Sequence, residues 1–116
     1  MEDRRFTEID LRGMLHRAAG LRPDVVGGRW VILEVTYRHG RPLAAYLYLP
    51  RRPGDKSYRA TRVEPGLVID FNRRGTPIGI EITAPGKLSV AALNRVLRRF
   101  DLPTVTRADL APLRAA

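Results

Sequence analysis

The side chains with chemistry to offer are few: two carboxylates in adjacent alternating runs, Asp70 and Glu81, two histidines, His16 and His39, and 19 arginines. Asp70 and Glu81 flank the turn Asn72-Arg73-Arg74-Gly75. In these runs Leu67, Ile69 and Phe71 share a face with Ile78, Ile80 and Ile82, which leaves Val68, Asp70, Gly79 and Glu81 on the reverse. If Ile69 opposes Ile78, Asp70 faces Pro77 and Glu81 lies four positions farther along. At about 3.4 Å per residue the two Cα atoms then stand roughly 13 Å apart or more, too far for a shared proton or one metal ion unless a bulge shifts the pairing. Asp70-x-Asn72-x-x-Gly75 echoes the start of a calcium loop, but Arg73 and Arg74 stand where further anionic ligands would be needed. Neither histidine has a second nitrogen or sulfur ligand at metal-site spacing. Ser57 and Ser89 lack the context of an activated nucleophile, and no glycine-rich phosphate loop precedes a helix. No catalytic residue, metal or cofactor is predicted.

The arginines carry the strongest signal. The net charge is +9, from 21 basic and 12 acidic side chains. Residues 1–20 balance at 4 against 4, whereas residues 21–65 carry 9 basic against 4 acidic and residues 66–116 carry 8 against 4. Such a field attracts polyanions, and the planar guanidinium fork suits phosphate. An arginine-rich, lysine-poor chain is equally what a GC-rich genome writes on a neutral surface. Arg38, Arg41, Arg51, Arg52, Lys56, Arg59 and Arg62 form the predicted contact patch for nucleic acid or an acidic partner, near Tyr46 and Tyr48. Arg95, Arg98 and Arg99 fall on the outer side of a predicted helix, where the helix dipole accounts for them without a partner.

The elements that must position these groups read as a single α+β domain over residues 1–116: an antiparallel sheet of about five strands (two hairpins and an edge strand), an N-terminal helix and one or two C-terminal helices. The first part, residues 1–42, holds that helix and the first strand. Thr7 and Asp10 make a capping-box pattern ahead of the stripe Leu11, Met14, Leu15 and Ala18. Arg29–Arg38 and Leu43–Leu49 read as a hairpin around His39-Gly40. Pairing Arg38 with Arg41 gives Val31, Leu33 and Val35 a face shared with Ala44, Tyr46 and Tyr48, and gives Trp30 and Ile32 a face shared with Leu47 and Leu49. Both faces are then apolar, and Trp30, Ile32, Tyr46 and Tyr48 become the expected partner or dimer interface. Tyr58–Glu64 reads as an edge strand blunted by Arg59 and Arg62. In the last part, residues 85–116, Ser89 caps a helix with the stripe Leu93, Val96, Leu97 and Phe100, and Thr106 with Asp109 opens a short final helix.

The stretch from Gly66 to Ile82, with Asp70-Phe71-Asn72-Arg73-Arg74-Gly75 and Gly79-Ile80-Glu81-Ile82, resembles the bacterial family catalogued as domain of unknown function 2283. The likeness covers residues 43–84 and departs at the turn, where Asn72, Arg73 and Arg74 replace a usually acidic run. The resemblance implies a small bacterial protein, a companion of toxin-like genes, with no site residues to carry over. Without a cysteine the chain forms no disulfide, and no apolar run reaches the roughly 18 residues that cross a bilayer. These features suit a cytoplasmic protein without a membrane or small-molecule partner. The expectation is a non-catalytic binding module, the antitoxin or regulatory half of a toxin-antitoxin-like pair, acting on a protein partner or on itself as a homodimer. The alternatives are an electrostatic nucleic-acid-binding protein and a small RNase-like toxin using His39.

Overall fold

The computed structural model describes residues 2–10, 16–18 and 30–113. They form one antiparallel sheet of seven strands: β1 (Glu2–Asp10), β2 (His16–Ala18), β3 (Trp30–Arg38), β4 (Arg41–Tyr48), β5 (Arg59–Glu64), β6 (Leu67–Phe71) and β7 (Pro77–Ile82). Their spatial order is β2-β1-β3-β4-β7-β6-β5. A single α-helix among the described residues, α1 (Val90–Arg99), packs on one face.

Among the described residues, the N-terminal helix expected from Thr7 and Asp10 is absent. Residues 2–10 are extended and pair with β3 along their whole length, from Glu2 opposite Arg38 to Asp10 opposite Trp30. A helix cap contributes only about 1 kcal/mol, whereas this ladder pairs nine residues with β3 and satisfies the backbone groups of alternate ones. It also buries Ile9 completely in the core beside Val31. Long-range pairing overrides the local signal. His16–Ala18, at the end of the expected helix, form β2, and Leu11, Met14 and Leu15 lie outside the described residues.

The β3–β4 hairpin is bent by an irregularity that the sequence does not announce. His39 and Gly40 adopt positive φ angles of 52° and 76°, as the expected two-residue turn requires. Arg38 does pair with Arg41, but the register shifts between Thr36 and Tyr37, so that Leu43 is passed over and Val35 meets Ala45. A one-residue shift exchanges the faces of a strand. Val31, Leu33, Val35 and Tyr37 therefore share the core with Ala45, Leu47 and Leu49, while Glu34 sits beside Tyr46 and Ile32 beside Tyr48 on the reverse. The first hairpin has one apolar face, not two.

The core face runs as a ladder across six strands: Thr7, Leu33, Leu47, Ile80, Ile69 and Thr61 are successive neighbours. Leu93, Val96 and Leu97 of α1 close over it, and Phe100 meets Phe71 edge-on at 5.8 Å between ring centroids. Ser89 caps α1, its hydroxyl accepting from the Ala92 N–H at 3.2 Å. Asn94 clamps the following segment, accepting from the Val105 N–H at 2.8 Å and donating to the Val105 carbonyl at 2.9 Å. Thr106 and Asp109 form the expected reciprocal box, but it opens a turn and a short 3-10 segment, Ala111–Leu113, rather than a second α-helix. Tyr37 then pins this segment, its hydroxyl donating to the Pro112 carbonyl. No described helix is long and apolar enough to cross a membrane.

Two substitutions check the packing of α1. Ser89→Ala should lower unfolding stability by about 1 kcal/mol, the usual worth of a hydroxyl cap, in a denaturant titration with unchanged m-value. Glu64 on β5 pairs with Arg95 on α1 at 3.2 Å, and that bond holds its carboxyl below the ordinary 4.5. Its stabilising effect is therefore present above pH 4.5 and lost as pH falls through the depressed value. Wild type and Glu64→Gln should converge in melting temperature on acidification, with wild type the more stable near neutrality.

A tyrosine–carboxylate face and a basic end as the candidate functional site

The face of the sheet turned away from α1 is polar by register. One row reads Phe6, Glu34, Tyr46, Glu81, Val68 and Arg62 from strand to strand; the next reads Ile32, Tyr48, Gly79, Asp70 and Ala60. Tyr46 and Tyr48 stand edge to face, 4.6 Å between ring centroids. Each hydroxyl ends on a carboxylate: Tyr46 donates to Asp70 Oδ2 at 2.6 Å and Tyr48 to Glu34 Oε1 at 2.6 Å. Burial and then these hydrogen bonds push both phenols well above the ordinary 10.0. Both stay neutral donors and neither serves as a base or nucleophile near neutrality.

The second hairpin carries its own bulge. Phe71 pairs with Pro77 but Asp70 pairs with Gly79, so Ile78 is the extra residue and Glu81 lies diagonally across from Asp70. The roughly 13 Å separation expected for an unbulged pairing is replaced by a diagonal neighbour relation, about 7–8 Å between Cα atoms. Tyr46 stands next to Glu81 and crosses Gly79 to reach Asp70. A Cβ at Gly79 would lie inside the van der Waals envelope of the Tyr46 hydroxyl and ring. Among the described residues, no three carboxylate or histidine side chains converge as a metal site would need.

Asp70 also reaches the loop that leaves β4. Its second oxygen accepts from the Ser57 hydroxyl at 3.1 Å. Arg51 secures the start of the same loop, donating to the Ile78 carbonyl and lying 5.1 Å from the centroid of the Tyr48 ring. Asp55 holds its middle, accepting from the Arg52 N–H at 3.0 Å and from Arg74 at 3.3 Å. These donors keep the Asp55 carboxyl below its ordinary value, the Arg52 backbone bond being the largest cause. The loop is thereby seated against the β6–β7 turn. That turn is built by Asn72, buried to 4% exposure, whose side-chain oxygen accepts from the N–H groups of Arg74 and Thr76 at 2.9 Å each.

The result is a basic end. Lys56, Tyr58, Arg73 and Arg74 line a cleft of about 340 Å³ with Asp55, Ser57 and Asn72. Arg52 and Arg59 are exposed beside it. Arg73 stacks on the Tyr58 ring at 4.9 Å and Arg59 on Phe71 at 4.6 Å. Of the seven cations expected as one patch, Arg52, Lys56 and Arg59 meet here, while Arg51 lies on the polar face against the Tyr48 ring. Arg38 and Arg41 pair at the other end of β4, roughly 24 Å away along the strand, and Arg62 lies in the row of the polar face. Arg73 and Arg74 join the cluster although sequence reasoning had left them out of it. Their signal was the departure from the acidic turn of the resembled family. Tyr46 and Tyr48, expected beside the cations, are engaged with Asp70 and Glu34. Tyr58 is the exposed aromatic of this end. Ile32, expected at an interface, is buried to 3% exposure, and Trp30 begins β3 opposite Asp10.

The described residues thus form an antiparallel sheet with one α-helix on its core face, in which a network of hydroxyls and carboxylates seats a basic loop. Residues 44–84 match the family model described as Protein of unknown function (DUF2283), so the resemblance read from the Asp70–Ile82 hairpin holds for the segment that contains both tyrosines, Asp70, Gly79 and the basic end. No curated protein and no solved structure matches the chain.

Gly79→Ala should cost about 1–3 kcal/mol through overpacking against Tyr46. In a double-mutant cycle with Tyr46→Ala that penalty should shrink, leaving a coupling energy of at least about 0.5 kcal/mol; additive penalties would contradict the contact. Because the folded state raises the Tyr46 ionisation, its contribution is fully present below pH 10.0 and lost as pH rises above it. Tyr46→Phe should therefore be less sensitive than wild type to alkaline unfolding in a pH-stepped thermal melt.

Proposed function

We propose that this chain is a binding module for a polyanion, with nucleic acid as the partner, and that the basic end is its contact surface. The observation that carries this reading is the assembly of Lys56, Arg73 and Arg74 around Tyr58, with Arg52 and Arg59 alongside. Residues 51–59 and 72–76 hold six cations, Arg51, Arg52, Lys56, Arg59, Arg73 and Arg74, and one acid, Asp55. Bringing five exposed cations together costs electrostatic repulsion, which neutralisation by phosphates relieves while releasing counterions. An exposed aromatic between the cations suits nucleic acid better than an acidic protein patch, because bases offer ring faces as well as charge.

The bulge at Leu43 removes the physical argument for self-association that two apolar faces of the first hairpin would have supplied. What remains in support of a protein partner is the family resemblance. The charge cluster supports the electrostatic alternative, and that alternative takes precedence here. It needs no catalytic group: His39 stands on the β3–β4 turn, at the end of the sheet away from the cleft.

Fluorescence anisotropy with a labelled oligonucleotide tests the reading. For four neutralised phosphates on a single strand, affinity should fall roughly fifty-fold between about 50 and about 200 mM salt. Lys56→Ala and Arg73→Ala should each weaken binding and flatten the salt slope by about 0.7. Arg38→Ala and Arg41→Ala should do much less. Absence of binding at low salt, or equal effects from both ends of the sheet, would overturn the proposal.

A further inference from the structure

Resting on that reading, we infer that the nucleic acid taken at this end is single-stranded, with an unpaired base stacking on Tyr58. Tyr58 is 64% exposed, the more exposed of the two large hydrophobic side chains that stand out at the surface among the described residues, Leu43 being 45% exposed. Its main chain is fixed, the N–H donating to the Phe71 carbonyl at 2.8 Å just before β5 begins. The ring is therefore presented from a hydrogen-bonded strand end rather than from a free loop.

The neighbourhood of the ring fits a base better than a protein side chain. Arg73 lies against it at 4.9 Å, and the guanidinium plane can continue a stack or reach a phosphate. Lys56 and Arg74 line the same cleft, on the two segments that flank the ring, where successive phosphates of one strand would run. The second arginine–aromatic pair, Arg59 on Phe71, directly follows Tyr58 in sequence and adds charge without a second open ring, because Phe71 is only 8% exposed. The arrangement offers one platform within a field of cations. In a duplex each base is covered on both faces by its neighbours, so Tyr58 could meet only the terminal pair; in a single strand any base is available. Stacking of this kind discriminates little between base types, so the expected preference is for strandedness and not for sequence.

The experiment is an anisotropy comparison at matched salt of three probes: a mixed-sequence strand of about 12 nucleotides, as RNA and as DNA, the blunt duplex of the same sequence, and an abasic strand with the same number of phosphates. Wild type should bind the strand at least tenfold more tightly than the duplex or the abasic strand. Tyr58→Ala should lose roughly five- to hundredfold for the strand, as expected for one stacked base, with the abasic affinity and the salt slope unchanged, while Tyr58→Phe retains the preference. Equal affinity for strand and duplex, or an unchanged strand affinity in Tyr58→Ala, would overturn the inference. The electrostatic proposal would survive that result provided Lys56→Ala and Arg73→Ala still weaken binding; failure of every probe to bind would remove both.

Discussion

Two hydroxyls end on the carboxylate of Asp70, and most of the polar architecture follows from that meeting. The Tyr46 hydroxyl arrives from β4 and the Ser57 hydroxyl from the loop beyond it. For the first to reach its acceptor, the phenol must cross the intervening strand β7, which is possible only where that strand lacks a Cβ. Gly79 is consequently a packing requirement of the Tyr46–Asp70 bond and not a turn residue. The same carboxylate makes the loop after β4 return toward the β6–β7 turn. There Asn72 shapes the backbone, and Asp55 bridges to Arg74.

This seating divides the cations by use. Arg51 is spent on the Ile78 carbonyl and the Tyr48 ring, and Arg95 on Glu64, so neither is available to a partner without loss of a native contact. Lys56, Arg73 and Arg59 project at the basic end without an acidic side chain paired to them among the described residues. A field concentrated on one end of a small domain steers a polyanion to that end, whereas the same charge spread evenly would act only on solubility.

Much of the local structure was legible in the residues. The two hairpins, the His39-Gly40 turn, the edge strand, the Ser89 cap and the stripe of α1 follow from side-chain type and period alone. What was not legible was register. Leu43 and Ile78 are the extra residues of two bulges, and nothing in their types distinguishes them from ordinary strand residues. Each shift exchanges or brings together side chains that the sequence pattern keeps apart: the first takes Tyr46 and Tyr48 off the face of Val31, Leu33 and Val35, and the second sets Glu81 diagonally from Asp70. The N-terminal strand was missed for a different reason. Thr7 and Asp10 are good capping residues, but residues 2–10 find an antiparallel partner along their whole length in β3. The basic end was half legible, since Arg52, Lys56 and Arg59 stand close in sequence while Arg73 and Arg74 reach them only through the fold.

The central claim is that the end of the sheet built by residues 51–59 and 72–76 meets the polyanion. It is tested most directly by amide chemical-shift mapping of the isotope-labelled full chain during titration with a single-stranded oligonucleotide. The account predicts shifts concentrated at Lys56, Tyr58, Arg59, Arg73 and Arg74, diminishing with added salt, with little change at Arg38 and Arg41. Shifts centred on the β3–β4 turn, or none at low salt, would contradict it.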